Sequence, residues 1–296
     1  MFDDVIYLNR KYDELKMEYN RIALSPAYRI GRIVYKLPLF KWLWSFLRKK
    51  EIDENALDHN KLFLTRDDLQ WRPKVVIYQI VVGNYDTVKS AFPLYPEIYD
   101  CFLFTDSDIE AKGWKIKRIP EHIKKLNNPI LINRYFKMHP YEFFPEYDYS
   151  IYVDGSIQIV FDIRPMLRNV SLKTGLALHR AAYRNCTYRE GSVLIRVKKG
   201  NKKFIIQQMK RYKDAGFPKK WGLFEAGIII CDLHNKKGED ILDLWWREFL
   251  SSRSLRDQIS LPYVLWVNGY TIDDIGNFGF SIEENQKLIF HGHLKK

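Results

Sequence analysis

The segment best suited to chemistry is a short turn after an apolar run. Residues 147–160 read YDYSIYVDGSIQIV, so a predicted strand delivers Asp154 directly into Gly155 and Ser156. A divalent cation prefers such carboxylate oxygens and keeps free positions for phosphate oxygens. Gly155 lets a ligand approach the backbone closely. An aspartate at the end of a strand is also a common turn former, so a metal site requires further ligands that converge on it.

Other predicted strands also end in polar residues. The apolar run 75–82 leads into a turn, the run 101–105 ends at Asp106, and the run 175–178 leads to His179 and Arg180. The turn after the first run consists of Gly83, Asn84, Tyr85 and Asp86. Because strands alternate with amphipathic helices, the sequence predicts an α/β fold with a mainly parallel sheet. Ligands of such sheets bind beyond the carboxyl ends of the strands, where all these residues fall.

Two common nucleotide sites are excluded by the residues after the first strand. The sequence has neither GxGxxG nor a P-loop there, so a Rossmann dinucleotide site and a Walker NTPase are not supported. Three widely spaced cysteines, Cys101, Cys186 and Cys231, encode neither a disulfide framework nor a zinc knuckle. With no signal-like N-terminus, we expect a reducing, cytosolic protein, in which the sequons at Asn169 and Asn185 are chance matches.

Composition indicates a folded, basic protein. The 296 residues carry 48 Lys and Arg against 36 Asp and Glu, a net charge of +12, and 46% are hydrophobic. Such a composition excludes wholesale disorder. No apolar run reaches the ~20 residues that a membrane-spanning helix needs. We expect residues 1–70 to form a helical, basic amphipathic extension with a linker, and residues 71–296 to form the catalytic domain.

Basic charge is concentrated in two segments. Between Glu18 and Glu51 there are eight basic residues, no acidic ones, and many aromatic and aliphatic ones. This pattern favours peripheral binding to an anionic membrane through residues 21–50, with packing or oligomerisation as the alternative. Nucleic acid is not expected as a partner, because no recognised module is present. The second segment, 196–220, has ten basic residues and one acidic residue, Asp214. It is either a solvated helix face or a contact for an anionic acceptor or membrane.

The central segment resembles a known family. NRYFKMHPYEFFPEYDYSIYVDGSIQI is similar to the helix, FP, strand and DxD segment of metal-dependent GT-A-fold glycosyltransferases, notably glycosyltransferase family eight. Lys137, Pro145 and Asp154 keep that family's intervals. FEAGIIICDL resembles its acceptor-side strand, RDQISLPYVLW its downstream Asp-Gln helix, and the terminal HGHLKK its closing tail.

The fuller resemblance, from Val75 to the C-terminus, is to a glycosyltransferase-like family formerly described as a domain of unknown function. It occurs in bacterial polysaccharide loci, viruses and plant mucilage-related proteins. The matching motifs are NYD, FTD, KxHP, YVDGS, HRxxYRNCxYxEG, FEAG and RDQ. This resemblance implies a GT-A-like fold, with a mainly parallel mixed sheet flanked by helices. One departure is Ser156, which replaces the second Asp of the DxD turn and leaves Asp154 as its strong ligand.

The resemblance implies a role for each candidate residue. Metal ligands would be Asp154, Ser156 through water, and His291 or His293. Donor contacts would come from Gly83, Asn84, Tyr85, Asp86, Asp106, Lys137, Gly155, Ser156 and Lys295. Glu225 or Asp257 would be the catalytic carboxylate, although Asp257 also suits a structural cap. Sugar contacts would come from His179, Arg180, Arg184, Trp221 and Gln258.

The predicted activity is therefore glycosyl transfer. The donor would be a UDP-, GDP- or dTDP-linked sugar with Mn²⁺ or Mg²⁺, and the acceptor a glycan or lipid-linked glycan of a surface polysaccharide. We expect a cytoplasmic enzyme, peripheral on the inner face of the cell membrane. Its association into a homo-oligomer is a further possibility. One alternative is a sugar-phosphate nucleotidyltransferase, although no Gly-rich basic loop follows Val82. Another is a non-catalytic glycosyltransferase-like module, which Ser156 keeps open.

Overall fold

The computed structural model describes residues 65–83, 88–91, 98–181, 184–285 and 287–291. Its strands, in chain order, are β1 (Val75–Val81), β2 (Tyr99–Thr105), β3 (Lys115–Arg118), β4 (Tyr149–Val153), β5 (Ile157–Ile159), β6 (Leu176–Arg180), β7 (Phe224–Asp232), β8 (Gly276–Phe280) and β9 (Leu288–Phe290). Seven of them form one sheet in the order β3-β2-β1-β4-β7-β6-β8. Only β7 runs antiparallel to its neighbours in that sheet. The predicted α/β class with a mainly parallel mixed sheet is confirmed.

Helices flank this sheet. They are α1 (Arg66–Gln70), α2 (Glu121–Lys124), α3 (Pro129–Met138), α4 (Pro140–Phe143), α5 (Arg164–Leu167), α6 (Thr187–Arg196), α7 (Lys202–Asp214), α8 (Lys236–Ser252) and α9 (Leu261–Val267). Asn128 caps α3 by accepting the N–H of Ile130 at 2.9 Å. Pro140 separates α3 from α4 and begins the second helix, as its lack of an N–H favours. No helix in the described part of the chain is long and apolar enough to cross a membrane.

The core lies on both faces of the sheet. All seven residues of β1 are buried, which explains why this strand is a continuous apolar run without alternation. The largest apolar cluster contains Trp245 and Phe249 of α8, and a second one contains Met166 of α5 and Ile163, which precedes that helix. The central strands are therefore enclosed on both faces.

The segment after β8 returns to the middle of the sheet. Strand β9 pairs antiparallel with β5, which places Phe290 opposite Ile157. We call residues 281–291 the C-terminal strap. The sequence did not predict β8, β9 or this pairing, because both strands are short and pair with segments far away in sequence.

Residues 1–64, the larger part of the predicted extension, lie outside the described residues. The last residues of the predicted linker form α1, which contacts the body of the protein. The Arg164 guanidinium donates a 2.7 Å hydrogen bond to the Asp68 carbonyl, and Arg168 forms a 3.2 Å ion pair with the Asp68 carboxylate. Helix α1 is thus tied to α5 and to the first residue beyond it.

Candidate active site

Asp154 lies at the carboxyl end of the central strand β4. Its N–H donates to the Gly227 carbonyl at 2.8 Å, and its own carbonyl accepts the Ile157 N–H at 2.9 Å. The first bond joins Asp154 to β7, and the second closes the turn predicted from the sequence. The Tyr152 hydroxyl donates to Asp154 Oδ1 at 2.5 Å, while Oδ2 accepts no hydrogen bond within the described residues. One carboxylate oxygen is therefore fixed and the other is available.

Tyr152 is the residue that orients this carboxylate. Its side chain is buried, and its hydroxyl also lies 2.9 Å from Asn133 Oδ1. Burial and the nearby Asp154 charge raise the pKa of Tyr152 well above its usual value, so the hydroxyl keeps its proton. Sequence reasoning missed Tyr152. The available signal was its position two residues before Asp154, which places both side chains on one face of the chain.

Behind the turn lies a buried cluster of charges, which we call the buried ion cluster: Arg134, Lys137 and Asp257. Lys137 Nζ lies 2.6 Å from Asp257 Oδ2, and Arg134 Nε lies 2.9 Å from the same oxygen. The side chains of Lys137 and Asp257 are only 1% and 5% exposed. Lys137 Nζ also lies 5.0 Å from the centre of the Tyr152 ring. The cluster thus contacts the residue that orients Asp154.

Asp257 is held as an ion. Burial by itself raises its pKa, but the charges of Arg134 and Lys137 outweigh this effect and hold the pKa far below the usual range. Such a carboxylate is a weak proton acceptor, so the geometry favours an anchoring role over a general base. Lys137 was predicted to contact the donor. In this structure its ammonium is bound to Asp257, and the donor contact stays a prediction.

Glu225 is the second predicted catalytic carboxylate. It lies at the start of β7, opposite His179 of β6, and is partly exposed. Glu225 Oε2 accepts the Ile282 N–H of the C-terminal strap at 2.7 Å. Since β7 is antiparallel, its first residues reach the edge at which the other strands end. Glu225 is therefore on the same edge as Asp154 and is better placed than Asp257 to exchange a proton.

The predicted donor loop begins beside Asp106. The Gly83 N–H donates to the Asp106 carboxylate, at 3.2 Å to Oδ1 and 3.1 Å to Oδ2. Gly83 has a φ of 69°, a backbone conformation that favours glycine. The ends of β1 and β2 are thereby joined. Asn84, Tyr85 and Asp86 lie outside the described residues, so their predicted contacts stay predictions.

His179 has a structural environment. It is fully buried, and the Asn285 side-chain amide of the strap donates to its Nε2 at 2.8 Å. Its ring lies edge-on to Phe278 at 4.3 Å between centroids. Burial lowers the pKa of His179 to about 3, so the ring is neutral at physiological pH. The sugar contact predicted for His179 stays a prediction, and the contacts observed hold the strap to β6.

The strap ends beside the Asp154 turn. The His291 N–H donates to the Ser156 carbonyl at 2.8 Å, and His291 Nε2 lies 2.9 Å from Gln158 Oε1. His291 is therefore adjacent to the turn, as the predicted ligand role requires, and its ring is hydrogen-bonded to the Gln158 side chain. His293 and Lys295 lie outside the described residues.

The four remaining predicted sugar contacts have protein partners. Arg180 pairs with Asp273 at 3.1 Å, and Arg184 pairs with Glu190. Trp221 lies 6.0 Å from the Phe217 ring, and the Gln258 side-chain amide donates to the Phe224 carbonyl at 2.8 Å. Arg180 is at the end of β6 and Gln258 is bound to the start of β7, so both lie near the catalytic edge. Their sugar contacts stay predictions.

The sequence comparison decides the family. The profile described as "TOD1/MUCI70, glycosyltransferase-like domain" matches residues 106–285, more than half of the chain. The chain belongs to the TOD1/MUCI70 family. The resemblance inferred from the motifs is confirmed, and with it the enzyme class, a glycosyltransferase. The matched range contains Asp106, Asp154, Glu225 and Asp257.

Solved structures with a similar chain include three glycosyltransferases, each at low sequence identity. Mouse xyloside xylosyltransferase 1 is 9% identical, with 66% of this chain and 81% of that chain covered and a TM-score of 0.40. The galactosyltransferase LgtC is 12% identical, with 64% and 70% covered and a TM-score of 0.40. Core-mannan synthase A (CmsA/Ktr4) from Aspergillus fumigatus, in an Mn/GDP form, is 10% identical, with 68% and 71% covered and a TM-score of 0.36. No curated protein matches the chain.

A metal site in this TOD1/MUCI70 family member would depend on few protein ligands. Within the described ranges, no group of three or more His, Cys, Asp or Glu side chains is placed to hold an ion. Mg²⁺ is commonly bound through one or two carboxylates together with substrate phosphates and water. Asp154, with Oδ2 available next to Ser156 and the end of the strap, fits such a cation. The donor set does not fit an ion enclosed entirely by protein.

Proposed function

We propose that this protein is a metal-dependent glycosyltransferase that moves a sugar from a nucleotide-sugar to a glycan or lipid-linked glycan. The observation that carries this proposal is the Asp154 carboxylate, fixed by Tyr152 at one oxygen and available at the other. It lies at the carboxyl end of the central strand, where α/β sheets bind ligands. Family membership supports the transfer of a sugar. The metal, the donor and the acceptor are proposed here in addition to the sugar transfer that the family indicates.

The residues divide the chemistry between them. Asp154 would hold Mn²⁺ or Mg²⁺, and the bound cation would stabilise the negative charge that develops on the departing diphosphate. Tyr152 keeps the carboxylate in one orientation. Asp257 fixes Arg134 and Lys137, which interact electrostatically with Asp154 from behind. Positive charge is thereby positioned at the turn before the donor binds, which is the arrangement that electrostatic catalysis requires.

Glu225 is the group that we place nearest the acceptor. In an inverting reaction it would take the proton of the attacking hydroxyl, and in a retaining reaction it would anchor the donor sugar. The Ile282 N–H holds one of its oxygens. The turn that begins at Gly83, together with Asp106, would receive the nucleotide, which we expect to be UDP, GDP or dTDP.

The location of the enzyme belongs to the same proposal. We assign residues 1–70 to a basic extension and residues 71–296 to the catalytic domain. The extension, through residues 21–50, would bind the anionic inner face of the cell membrane, because cations interleaved with aromatic side chains suit that interface. A lipid-linked or surface-polysaccharide acceptor would be met there. Two copies could associate through the same segment.

A non-catalytic binding module is the second candidate, and Ser156 is the observation that favours it. Without a second aspartate in the turn, the protein offers a cation one strong ligand. The two candidates differ in turnover. Nucleotide-sugar hydrolysis with Mn²⁺ separates them: a free nucleoside diphosphate product supports transfer, and no product supports a binding module. Release of pyrophosphate from a nucleoside triphosphate and a sugar 1-phosphate would instead support nucleotidyl transfer.

The Asp154→Asn variant tests the proposal directly. We expect turnover to fall by roughly a hundredfold or more, since a preorganised electrostatic contact to the leaving group is lost. Binding of a nucleoside diphosphate with Mn²⁺, measured by calorimetric titration, should weaken in parallel, while thermal unfolding stays close to wild type. The matched control is Asp243→Asn, on the exposed side of α8. Wild-type turnover and metal-dependent binding in Asp154→Asn would refute the metal role.

A further inference from the structure

One surface of the protein carries many basic side chains and few acidic ones. It is formed by the end of α6, the connection to α7 and the outer side of α7. We call it the basic face, and it consists of Arg196, Val197, Lys198, Lys199, Lys202, Lys203, Ile206, Lys210 and Lys213, all exposed. The basic face also includes Lys219 and Lys220, which are exposed and follow α7 on the way to β7.

The charges of this surface are largely unpaired. Between Arg196 and Lys220, only Lys210 and Arg211 of the ten basic residues form ion pairs, with Asp214 and Glu248. The other eight form none within the part of the chain that the structure describes. On the neighbouring α8, by contrast, Lys236 pairs with Glu239 at 2.9 Å and with Asp240 at 3.2 Å. The basic face is thus a region of single-sign potential.

Apolar side chains lie within the same surface. Val197 is 52% exposed and Ile206 is 50% exposed, and each has lysines beside it. Single exposed apolar residues are common on any protein. A polyphosphate or a nucleic acid backbone would leave them in water, whereas a lipid bilayer would accept them below its headgroups. Cations surrounding aliphatic side chains therefore match a membrane interface better than another polyanion.

The position of the basic face relative to the catalytic edge is also informative. Helix α7 has 13 residues and is about 20 Å long. After its last residue, Asp214, nine residues lead into β7, whose second residue is Glu225 at the catalytic edge. Within this connection the Phe217 ring lies 6.0 Å from the ring of Tyr212 in α7 and 6.0 Å from the ring of Trp221. The segment that includes Lys219 and Lys220 therefore links the basic face to the strand that carries Glu225.

We infer that the basic face docks on an anionic lipid bilayer. This inference rests on the membrane location proposed above and assigns that location a second surface, which does not include residues 21–50. Lysine ammonium groups would bind lipid phosphates, and Val197 and Ile206 would enter the acyl boundary. The charge complementarity of eight unpaired cations with an anionic leaflet is what identifies the occupant.

Vesicle binding by the full-length protein tests the inference. Flotation compares neutral phosphatidylcholine vesicles with vesicles that also contain phosphatidylglycerol. The test variant replaces Lys198, Lys199, Lys202 and Lys203 with Gln. Each lysine near an anionic leaflet strengthens partitioning about fivefold, so we expect binding to the anionic vesicles to weaken by about a hundredfold or more. Higher salt should weaken wild-type binding in the same direction.

Two matched variants interpret the result. Replacing Lys112, Lys117, Lys124 and Lys125 with Gln removes the same charge from exposed positions elsewhere, and wild-type binding is expected. Replacing the four lysines of the basic face with Arg preserves charge and should preserve binding. Equal losses in both Gln variants would mean that net charge alone drives binding, and this would overturn the inference. Unchanged vesicle binding in the basic-face variant would overturn it as well.

Other partners and the proposed activity are separated by two further measurements. Should the basic-face variant lose affinity for single-stranded RNA or for an acidic polysaccharide while its vesicle binding is unchanged, another polyanion is the partner and the inference fails. Donor hydrolysis in solution should be unchanged in the basic-face variant, because none of its lysines is in the site. Vesicle binding without any hydrolysis by the wild type would contradict the proposed function and leave the docking surface supported.

Discussion

The buried ion cluster and the basic face treat charge in opposite ways. In the cluster, Arg134 and Lys137 share the Asp257 carboxylate, and the side chains are at most 17% exposed. On the basic face, eight cations have no ion-pair partner among the described residues and are exposed to solvent. Water can solvate a lone surface charge, but a buried charge needs a counter-charge in contact. The difference shows which charges belong to the fold and which are available for a partner.

The comparison predicts that removing a counter-charge lowers the free energy of unfolding strongly only where the ion pair is buried. In Asp257→Asn, two buried cations lose their partner, and we expect the free energy of unfolding to fall by about 3–5 kcal/mol. Asp243→Asn breaks an ion pair whose carboxylate is 40% exposed, and it should cost at most about 0.5 kcal/mol. Urea unfolding followed by circular dichroism measures both. Similar costs in the two variants would remove the distinction.

A second prediction concerns a buried neutral group. The pKa of His179 is about 3 when folded and about 6.5 when unfolded. Between these values the unfolded chain binds a proton that the folded chain does not, so stability falls as the pH drops below about 6.5. We expect His179 to account for a loss of about 2 kcal/mol between pH 7 and pH 5.

The His179→Gln variant isolates this contribution. Its stability should depend less on pH between 7 and 5, although its stability at pH 7 will be lower because the contact with Asn285 changes. The control is Gln207→Asn, a substitution at an exposed position of α7 that changes no histidine, and it should keep the pH dependence of the wild type. Parallel pH profiles for the wild type and His179→Gln would show that burial does not keep this ring neutral.

The smallest expected effect concerns orientation at the site. Tyr152→Phe removes the hydroxyl that holds Asp154 Oδ1 and retains the ring. We expect stability to fall by about 1 kcal/mol and the affinity for a nucleoside diphosphate with Mn²⁺ to fall about tenfold. Tyr149→Phe on the same strand is the control. Unchanged ligand affinity in Tyr152→Phe would show that the Asp154 turn alone sets the orientation of the carboxylate.

Local patterns predicted much of the fold. The apolar run of β1, the strand before Asp154 and the helix break at Pro140 were all recognised, because each depends on residues adjacent in sequence. Helix α8 was recognised from the spacing of Trp245 and Phe249. Strands β8 and β9 were missed, since their formation depends on neighbours that lie far away in sequence.

At the site, pairing was the part that sequence reasoning did not predict. Lys137 and Asp257 were each chosen separately as donor or catalytic contacts, whereas the structure joins them at 2.6 Å across 120 positions of sequence. His179 was chosen as a sugar contact, and the structure buries it against Asn285, 106 positions away. A residue type indicates what chemistry is available. Its tertiary neighbours decide whether its charge faces a ligand or is neutralised by another side chain.

The sequence by itself determined the α/β class, the family and the delivery of Asp154 to the end of a buried strand, because these depend on short motifs and on local periodicity. Only the tertiary structure decided that Tyr152 orients this carboxylate, that Arg134, Lys137 and Asp257 compensate one another, and that the lysines of the basic face are mostly left without a counter-charge. Electrostatic roles depend on distance and on exclusion of water, and neither is specified until the chain has folded.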